Sequence, residues 1–232
     1  MCDCLRVKFH SAILAAAALA CCSTNVSAAM QLRPCSVHHH YPDRVDALLD
    51  RPLQGEVLFR FTESSGFRPQ HGIRLVRVGE HYRVYDVILL RQLWPSTHVP
   101  PSSGESGVGE SALEEIPNDS AFAQISGELA EQVIDLVESE IAHAEDSFYF
   151  GYDGTTYRFR SADGACGTTW SPDEGTRTRR LVDLMETLAS LARSSKNPAV
   201  RESLQRAMET TIGELSAPWP PEPAGVAGIS EG

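Results

Sequence analysis

Three adjacent histidines are the residues of this chain that best suit metal chemistry. His38, His39 and His40 follow one another, and imidazole in its neutral form is a good ligand for divalent metals. Three consecutive side chains cannot all face one ion on a regular helix or strand. The chain also contains no H-E-x-x-H sequence, no C-x-x-C pair and no calcium-binding loop. The sequence therefore predicts no metal site, and the run is interpreted as an exposed polar segment.

Catalytic patterns are equally absent from the chain. Serines and histidines are present, but a triad is assembled in space, and their spacing along the chain marks none. The stretch GESG from Gly104 to Gly107 lacks the spacing and the strand-turn-helix context of a nucleophile elbow. Acidic residues are abundant, so a carboxylate pair for glycoside hydrolysis stays open. Without a phosphate-binding loop or a dinucleotide fingerprint, no cofactor is predicted.

Cysteine positions point to a disulfide. Four of the six cysteines precede residue 29, which leaves Cys35 and Cys166 in the rest of the chain. In an oxidising compartment two cysteines most simply pair, so a Cys35–Cys166 disulfide is predicted. Two free thiols are the alternative, and an unpaired Cys166 would then be a candidate nucleophile in its glycine-flanked loop.

The N-terminus has the layout of a secretory signal peptide. Arg6 and Lys8 precede an apolar run over residues 12–22, and small residues follow. Val26, Ser27 and Ala28 suit the positions that a signal peptidase inspects, so cleavage after Ala28 is predicted.

Export to a bacterial periplasm is the expected localisation, because the composition, with 18 arginines and 2 lysines, indicates a GC-rich bacterial genome. A lipoprotein signal cut before Cys21 is the alternative, although Leu19 lies one place too late for it.

Net charge excludes some classes of partner. The chain carries −11 at pH 7. Nucleic acid is therefore not expected as a partner, since its binding requires a basic surface. No stretch reaches the roughly 18 apolar residues of a membrane span, so none is expected after signal removal.

Strand signals dominate the first half of the chain. GEVLFRF at Gly55–Phe61 alternates apolar and polar residues and predicts a strand. A hairpin follows over residues 71–90, where Gly79-Glu80 suits a two-residue turn that places Leu75 opposite Val84 and Ile73 opposite Asp86. From Val84 onwards, apolar residues occupy both odd and even positions, so both faces of the strand would be buried. This predicts an interior strand.

Composition changes after this hairpin. Residues 94–118 are rich in proline, glycine and serine, which indicates a long exposed loop. A helix is predicted from about Ser120 to His143, with Asp119 or Ser120 as its cap. Apolar residues recur along it at helical spacing, and Glu128, Glu131, Asp135 and Glu138 lie away from that stripe. These carboxylates are either a solvated face or a docking surface for a basic partner.

A dense aromatic stretch follows from Phe148. Asp153-Gly154 is a strong turn signal, which predicts a hairpin that pairs Phe150 with Tyr157 and Phe148 with Phe159. These four aromatic side chains would share the core face. Tyr149, Arg158 and Arg160 would share the other, exposed face, where Tyr149 and Arg158 could stack.

Two further helices are predicted downstream. Ser171 as N-cap, Pro172 at the first helical position and Glu174 in a capping box predict the start of the first. Asn197-Pro198 announces the second, and residues 217–232 are predicted to be a disordered tail.

Strands, hairpins and helices in this order predict an α+β fold, with an antiparallel sheet packed against about three helices. The predicted organisation is a signal peptide at 1–28 and one domain at 29–216. A short helical turn is expected near Arg44–Leu49.

An acidic exported domain without a catalytic motif favours a non-enzymatic module that binds a protein or an envelope component. An inhibitor- or immunity-like protein that neutralises a basic, wall-directed enzyme would suit this charge. The alternatives are a cell-wall hydrolase whose residues converge only in three dimensions, and an envelope lipoprotein. The candidate interaction surface comprises Trp170, Tyr149, Arg158, Arg160, Glu128, Glu131, Asp135 and Glu138.

Overall fold

The computed structural model of the chain describes residues 31–35, 40–93, 116–146, 154–194 and 196–217. The predicted signal peptide lies outside these residues, and so do the predicted tail beyond Ala217 and most of the predicted 94–118 loop. Four helices and seven strands follow one another in the described part: β1 (Arg33–Pro34), α1 (His40–Asp50), β2 (Glu56–Ser65), β3 (His71–Val78), β4 (His81–Leu89), β5 (Asn118–Ile125), α2 (Gly127–Ala142), β6 (Thr155–Ser161), β7 (Cys166–Trp170), α3 (Arg177–Arg193) and α4 (Pro198–Leu215).

All seven strands join one antiparallel sheet in the order β1-β7-β6-β2-β3-β4-β5. The predicted α+β fold is therefore confirmed. The β3–β4 hairpin has the predicted register, with Leu75 opposite Val84 and Ile73 opposite Asp86. Gly79 adopts a φ of 60° in the turn, which glycine tolerates better than residues with a side chain.

Helices α2, α3 and α4 cover one face of the sheet. Side chains of alternate parity, including Phe59, Phe61 and Phe159, point into this layer and are at most 1% exposed. Apolar stripes from the helices complete the same cluster, with Leu129 and Val133 from α2 and several leucines from α3. This layer is the main core.

Helix α1 covers the opposite face. Val45, Leu48 and Leu49 pack on Val76 and Val87 in a second, smaller cluster. Strand β4 lies between β3 and β5 and has buried side chains on both faces, which confirms the predicted interior strand. The helix predicted as a short turn near Arg44 is longer and begins at His40.

The helix predicted from Ser120 is wrong in its first turns. Residues 118–125 form β5 instead, and α2 begins at Gly127 behind the N-cap Ser126, whose Oγ accepts a hydrogen bond from Leu129 N. Ala123 and Ile125 are buried while Phe122 is 48% exposed, which is the alternation of a strand. Residues 118–125 pair with the side of β4 that does not pair with β3, and this pairing makes them a strand.

The predicted start of the next helix is also wrong. Thr176, not Ser171, caps α3, and its Oγ1 accepts a hydrogen bond from Arg179 N at 3.0 Å. Ser171 has a φ of 36°, which is incompatible with the extended N-cap conformation. By contrast, Asn197 caps α4 as predicted, with Oδ1 accepting from Val200 N at 3.3 Å.

The strand pairing predicted for Tyr157 and Phe159 of the dense aromatic stretch is wrong. Residues 147–153, including Phe148, Tyr149 and Phe150, lie outside the described residues. Tyr157 and Phe159 pair with Glu63 and Phe61 of β2 on one side of β6 and with β7 on the other. Both are buried in the main core, as predicted.

Candidate functional site

The exposed side of α2 carries a row of four carboxylates. Glu128, Glu131, Asp135 and Glu138 are all exposed, while residues such as Leu129 and Val133 on the opposite side of the helix are buried. Spacings of three, four and three residues put the four on one side, over about 15 Å of helix length. This row is called the acidic stripe below.

Nothing in the described structure neutralises the acidic stripe. Helix α2 contains no lysine or arginine, and none of the four carboxylates forms an ion pair with a described residue. Like charges three or four residues apart destabilise a helix by about 0.2–0.5 kcal/mol per pair. The helix dipole favours Glu128 in the first turn and disfavours Glu138 towards the other end. Repulsion between neighbouring carboxylates is therefore the part that costs stability.

The fifth acidic residue of α2 behaves differently. Glu140 is 1% exposed, and its carboxylate receives hydrogen bonds from Arg177, whose Nε lies 2.8 Å away and whose Nη2 lies 2.6 Å away. Burial raises the pKa of Glu140, and the bonds from Arg177 oppose that shift. Glu140 thus links α2 to α3 and contributes nothing to the exposed stripe.

Arg158 and Arg160 lie on the other face of the sheet, away from α2. Arg158 is only 9% exposed, so its predicted surface position is wrong. Its Nη2 lies 2.6 Å from Asp46 Oδ2 and donates to Pro42 O at 2.7 Å. Burial lowers the pKa of Arg158, and Asp46 opposes this shift. Arg160 donates to Asp43 Oδ1 at 2.8 Å.

These two arginines belong to a buried ion network beneath α1 that the sequence alone did not reveal. Arg74 is 0% exposed and lies within hydrogen-bonding distance of both Asp46 (3.0 Å) and Asp50 (2.6 Å). Arg60 binds Asp50 at 2.9 Å. The signal that was available is the helical spacing of Asp43, Asp46 and Asp50, which puts three carboxylates on one side of α1.

A cavity of about 500 Å³ opens beside this network, between the start of α1 and β6–β7. Arg158, Arg160 and Asp43 line it, together with the Cys35–Cys166 disulfide. The guanidinium groups in the lining are already paired with carboxylates, and both cysteines are bonded to each other. Each charged side chain of the described lining therefore has a partner of opposite charge, and this lining contains no unpaired nucleophile next to a base.

Another ion network surrounds His71 on β3. Its Nδ1 lies 3.3 Å from Glu63 Oε2 and its Nε2 binds Asp86, which also binds Arg193 of α3. Burial alone would lower the pKa of His71, but hydrogen bonds to Asp86 and Glu63 outweigh it and raise the pKa to about 9. Both ring nitrogens are occupied, so His71 joins elements of the fold and does not suit a general base.

Trp170 and Tyr149 complete the predicted surface residues. Trp170 is half-buried on β7 opposite Thr156, and Tyr149 lies outside the described residues. The structure therefore brings together the four carboxylates of the acidic stripe and, separately, Arg158 with Arg160. It does not join these two groups into one surface.

The predicted disulfide between Cys35 and Cys166 is confirmed. It links the short strand β1 to β7, next to a hydrogen bond from Cys35 N to Cys166 O.

None of the described helices is long and apolar enough to cross a membrane. Comparisons with protein-family models, with curated proteins and with solved structures found no match to the chain.

Proposed function

We propose that this protein is a non-enzymatic binding module that docks the acidic stripe of α2 onto a basic protein of the cell envelope. One observation carries the proposal: four exposed carboxylates form a single row that no described residue neutralises. Most other acidic side chains near the sheet are engaged by arginine or histidine. On the surface of the described residues, the acidic stripe is a large group of negative charges that no positive side chain compensates.

Helical geometry makes the stripe a suitable docking element. A rigid helix holds the carboxylates at fixed intervals, so lysines and arginines of a partner can meet them in register. Complementary charge mainly raises the association rate and selects the partner, and it weakens with salt. The expected complex therefore forms fast and is sensitive to ionic strength.

The class of partner follows from charge and compartment. The signal-like N-terminus and the disulfide both suit an oxidising, extracytoplasmic environment. A basic, wall-directed enzyme is the partner class that an acidic module meets there, which would make this chain inhibitor- or immunity-like.

Capture from an envelope extract tests the proposal with a variant in which the stripe is neutralised. The variant carries E128Q, E131Q, D135N and E138Q. We expect the parent protein to capture a basic protein and the variant to capture at least tenfold less of it. The reason is that several charge pairs at the rim of an interface together contribute more than about 1.4 kcal/mol to binding. The purified pair should then bind less tightly as salt is raised.

A matched control neutralises four exposed carboxylates outside α2, with the same change in net charge. These substitutions are E80Q, D146N, E202Q and E209Q. The control should retain the partner. Equal loss by control and stripe variants would mean that only net charge matters, and equal retention by both would refute docking through the stripe.

A further inference from the structure

A polar groove lies on the α1 face of the sheet. Its floor consists of Thr156, Arg158 and Arg160, which alternate along β6, and of Thr168 of β7, which pairs with Arg158. Side chains at every second position of a strand share one face, so these four line the groove together. The stretch from Thr156 to Arg160 corresponds to about 13 Å of strand, which makes the groove elongated. This cavity of about 500 Å³ is called the β6 groove below.

Two fixed walls bound the β6 groove. Pro42 at the start of α1 lines one side, and Cys35, directly after β1, lines the other. Helix α1 is held against the sheet by the buried pair of Asp46 with Arg158, and Cys35 is held by its disulfide to Cys166. A site whose walls are fixed before binding loses little conformational entropy when a ligand enters. The groove is therefore suited to select its ligand by shape.

Charge is compensated in the described lining of the groove. Arg158 Nη2 lies 2.6 Å from Asp46 Oδ2, and Arg160 Nη2 lies 2.8 Å from Asp43 Oδ1. A charged ligand would have to displace a partner from one of these pairs or leave an additional charge beside them. An uncharged ligand leaves both pairs intact, so the lining favours an uncharged ligand.

Hydrogen-bonding capacity remains in the same lining. A guanidinium group carries five N–H donors, and the buried Nε of Arg160 has no hydrogen-bond partner among the described residues. The side chain of Asp43 is 58% exposed, so its carboxylate keeps lone pairs that a ligand can reach. Thr156 is exposed, and its hydroxyl can both donate and accept. Donors and acceptors therefore lie close together along the groove.

We propose that the β6 groove binds an uncharged oligosaccharide. Sugar hydroxyls both donate and accept hydrogen bonds, so one hydroxyl can bridge a guanidinium N–H and a neighbouring carboxylate or threonine oxygen. A chain of sugar rings matches the elongated shape, and the ring of Pro42 offers apolar surface to the C–H groups of a sugar. A peptide that extends a sheet pairs with a strand edge, whereas the floor of this groove is a sheet face.

The oligosaccharide site is separate from the acidic stripe. Helix α2, which carries the stripe, covers the opposite face of the sheet, and no residue of α2 belongs to the described lining of the groove. The two sites differ in chemistry as well, because docking through the stripe depends on charge and binding in the groove depends on uncharged hydrogen bonds. Salt therefore distinguishes them, since it screens interactions between exposed charges.

Isothermal titration calorimetry of the disulfide-bonded protein tests the proposal. The probes are four uncharged oligosaccharides: N-acetylated chitotriose, maltotriose, cellotriose and mannotriose. We expect one of them to bind with a dissociation constant that is nearly the same at low and high sodium chloride concentrations. Thr156→Val with Thr168→Val removes two hydroxyls from the floor and preserves the side-chain shape. This variant should bind at least tenfold more weakly, because two hydrogen bonds to the ligand are lost.

The same two strands supply the control. Thr155→Val with Thr169→Val makes the same chemical change at positions of the other parity, which face away from the groove. This control should bind the sugar like the parent, and so should the variant with the neutralised acidic stripe. Circular dichroism should show that all variants are folded.

Three results would overturn the proposal. The first is the absence of binding to all four sugars. The second is an equal loss of affinity in the two threonine variants, which would place the sugar outside the groove. The third is an affinity that falls steeply with salt, because that would identify charge, and not uncharged hydrogen bonds, as the basis of binding.

Discussion

Arg74 and Asp46 form a buried ion pair in which Nη2 of the arginine lies 3.0 Å from Oδ1 of the aspartate. The arginine side chain is 0% exposed and the aspartate side chain 6%. Asp46 also accepts a hydrogen bond from Thr62 Oγ1 and pairs with Arg158. One carboxylate on α1 therefore balances charges from two strands, β3 and β6, and accepts a hydrogen bond from a third, β2.

Replacing Asp46 by asparagine should destabilise the protein strongly. The substitution keeps the size of the side chain but leaves the buried Arg158 without its carboxylate partner and Arg74 with Asp50 alone. Removing one partner of a buried ion pair lowers the free energy of unfolding by about 3–5 kcal/mol. Urea unfolding followed by circular dichroism measures the change.

Asp43 supplies the control for this experiment. Its side chain lies on the same helix and pairs with Arg160, but it is 58% exposed. An exposed pair contributes under about 1 kcal/mol, so Asp43→Asn should unfold close to the parent. Similar losses for the two variants would show that Asp46 has no special role.

His71 should make stability depend on pH. Its pKa is raised to about 9 in the folded protein, because bonds to Asp86 and Glu63 outweigh the lowering by burial, against an ordinary value of 6.5. The protonated form is therefore favoured by folding. Its contribution is complete below about pH 6.5 and is lost as the pH rises through 9. The difference between the two pKa values corresponds to about 3 kcal/mol.

Two measurements check this prediction. An NMR titration should place the transition of the His71 ring well above that of an ordinary histidine. The free energies of unfolding of the parent and of His71→Gln should converge as the pH rises through this range. His81→Gln, at an exposed position, should follow the parent. A constant gap between parent and His71→Gln would contradict the assignment.

The Cys35–Cys166 disulfide should contribute substantially to stability. It closes a loop with a sequence separation of 131, and the loss of chain entropy in the unfolded state is equivalent to as much as about 5 kcal/mol. Cys35→Ser with Cys166→Ser should lower the free energy of unfolding by roughly 2–5 kcal/mol. Reductant should weaken the parent and leave the double variant unchanged. Alkylation of both cysteines without reductant would show instead that the bond is absent.

Local chemistry explains what could be predicted from the sequence. The β3–β4 register follows from the Gly79-Glu80 turn, which acts over a few residues, and the start of α4 follows from the adjacent Asn197-Pro198. The disulfide needed only a count of cysteines and a compartment. The four carboxylates of the acidic stripe were predicted from helical spacing that tertiary contacts left unchanged.

Contacts between distant parts of the chain explain the failures. Phe122, Ile125 and Leu129 fit a helical spacing, yet the edge of β4 takes the first two into a strand. Arg158 was expected to be exposed because its partner Asp46 lies far away in the sequence. The contact between the β2–β3 connection and the chain leaving β4 was not anticipated either, since it depends on hydrogen bonds of Gln70 and Gln92 to residues distant in the sequence.

Like charges within the acidic stripe should make its neutralisation stabilising. Glu131 lies three residues after Glu128 and four before Asp135, and no described residue pairs with it. Glu131→Gln should therefore raise the free energy of unfolding by a few tenths of a kcal/mol to about 1 kcal/mol, from the relief of two repulsive pairs. Urea unfolding at low salt measures the gain, which should shrink as salt is added.

Glu202 provides a closely matched comparison. It is exposed and occupies the same position relative to the start of α4 as Glu131 does in α2, but it has Arg206 four residues later and no acidic residue three before. Glu202→Gln should consequently lower stability slightly, the opposite sign to Glu131→Gln. If both substitutions changed stability in the same direction, repulsion along α2 would not be the cause. Opposite signs would mean that α2 keeps its acidic stripe against its own stability, as a surface selected for binding would.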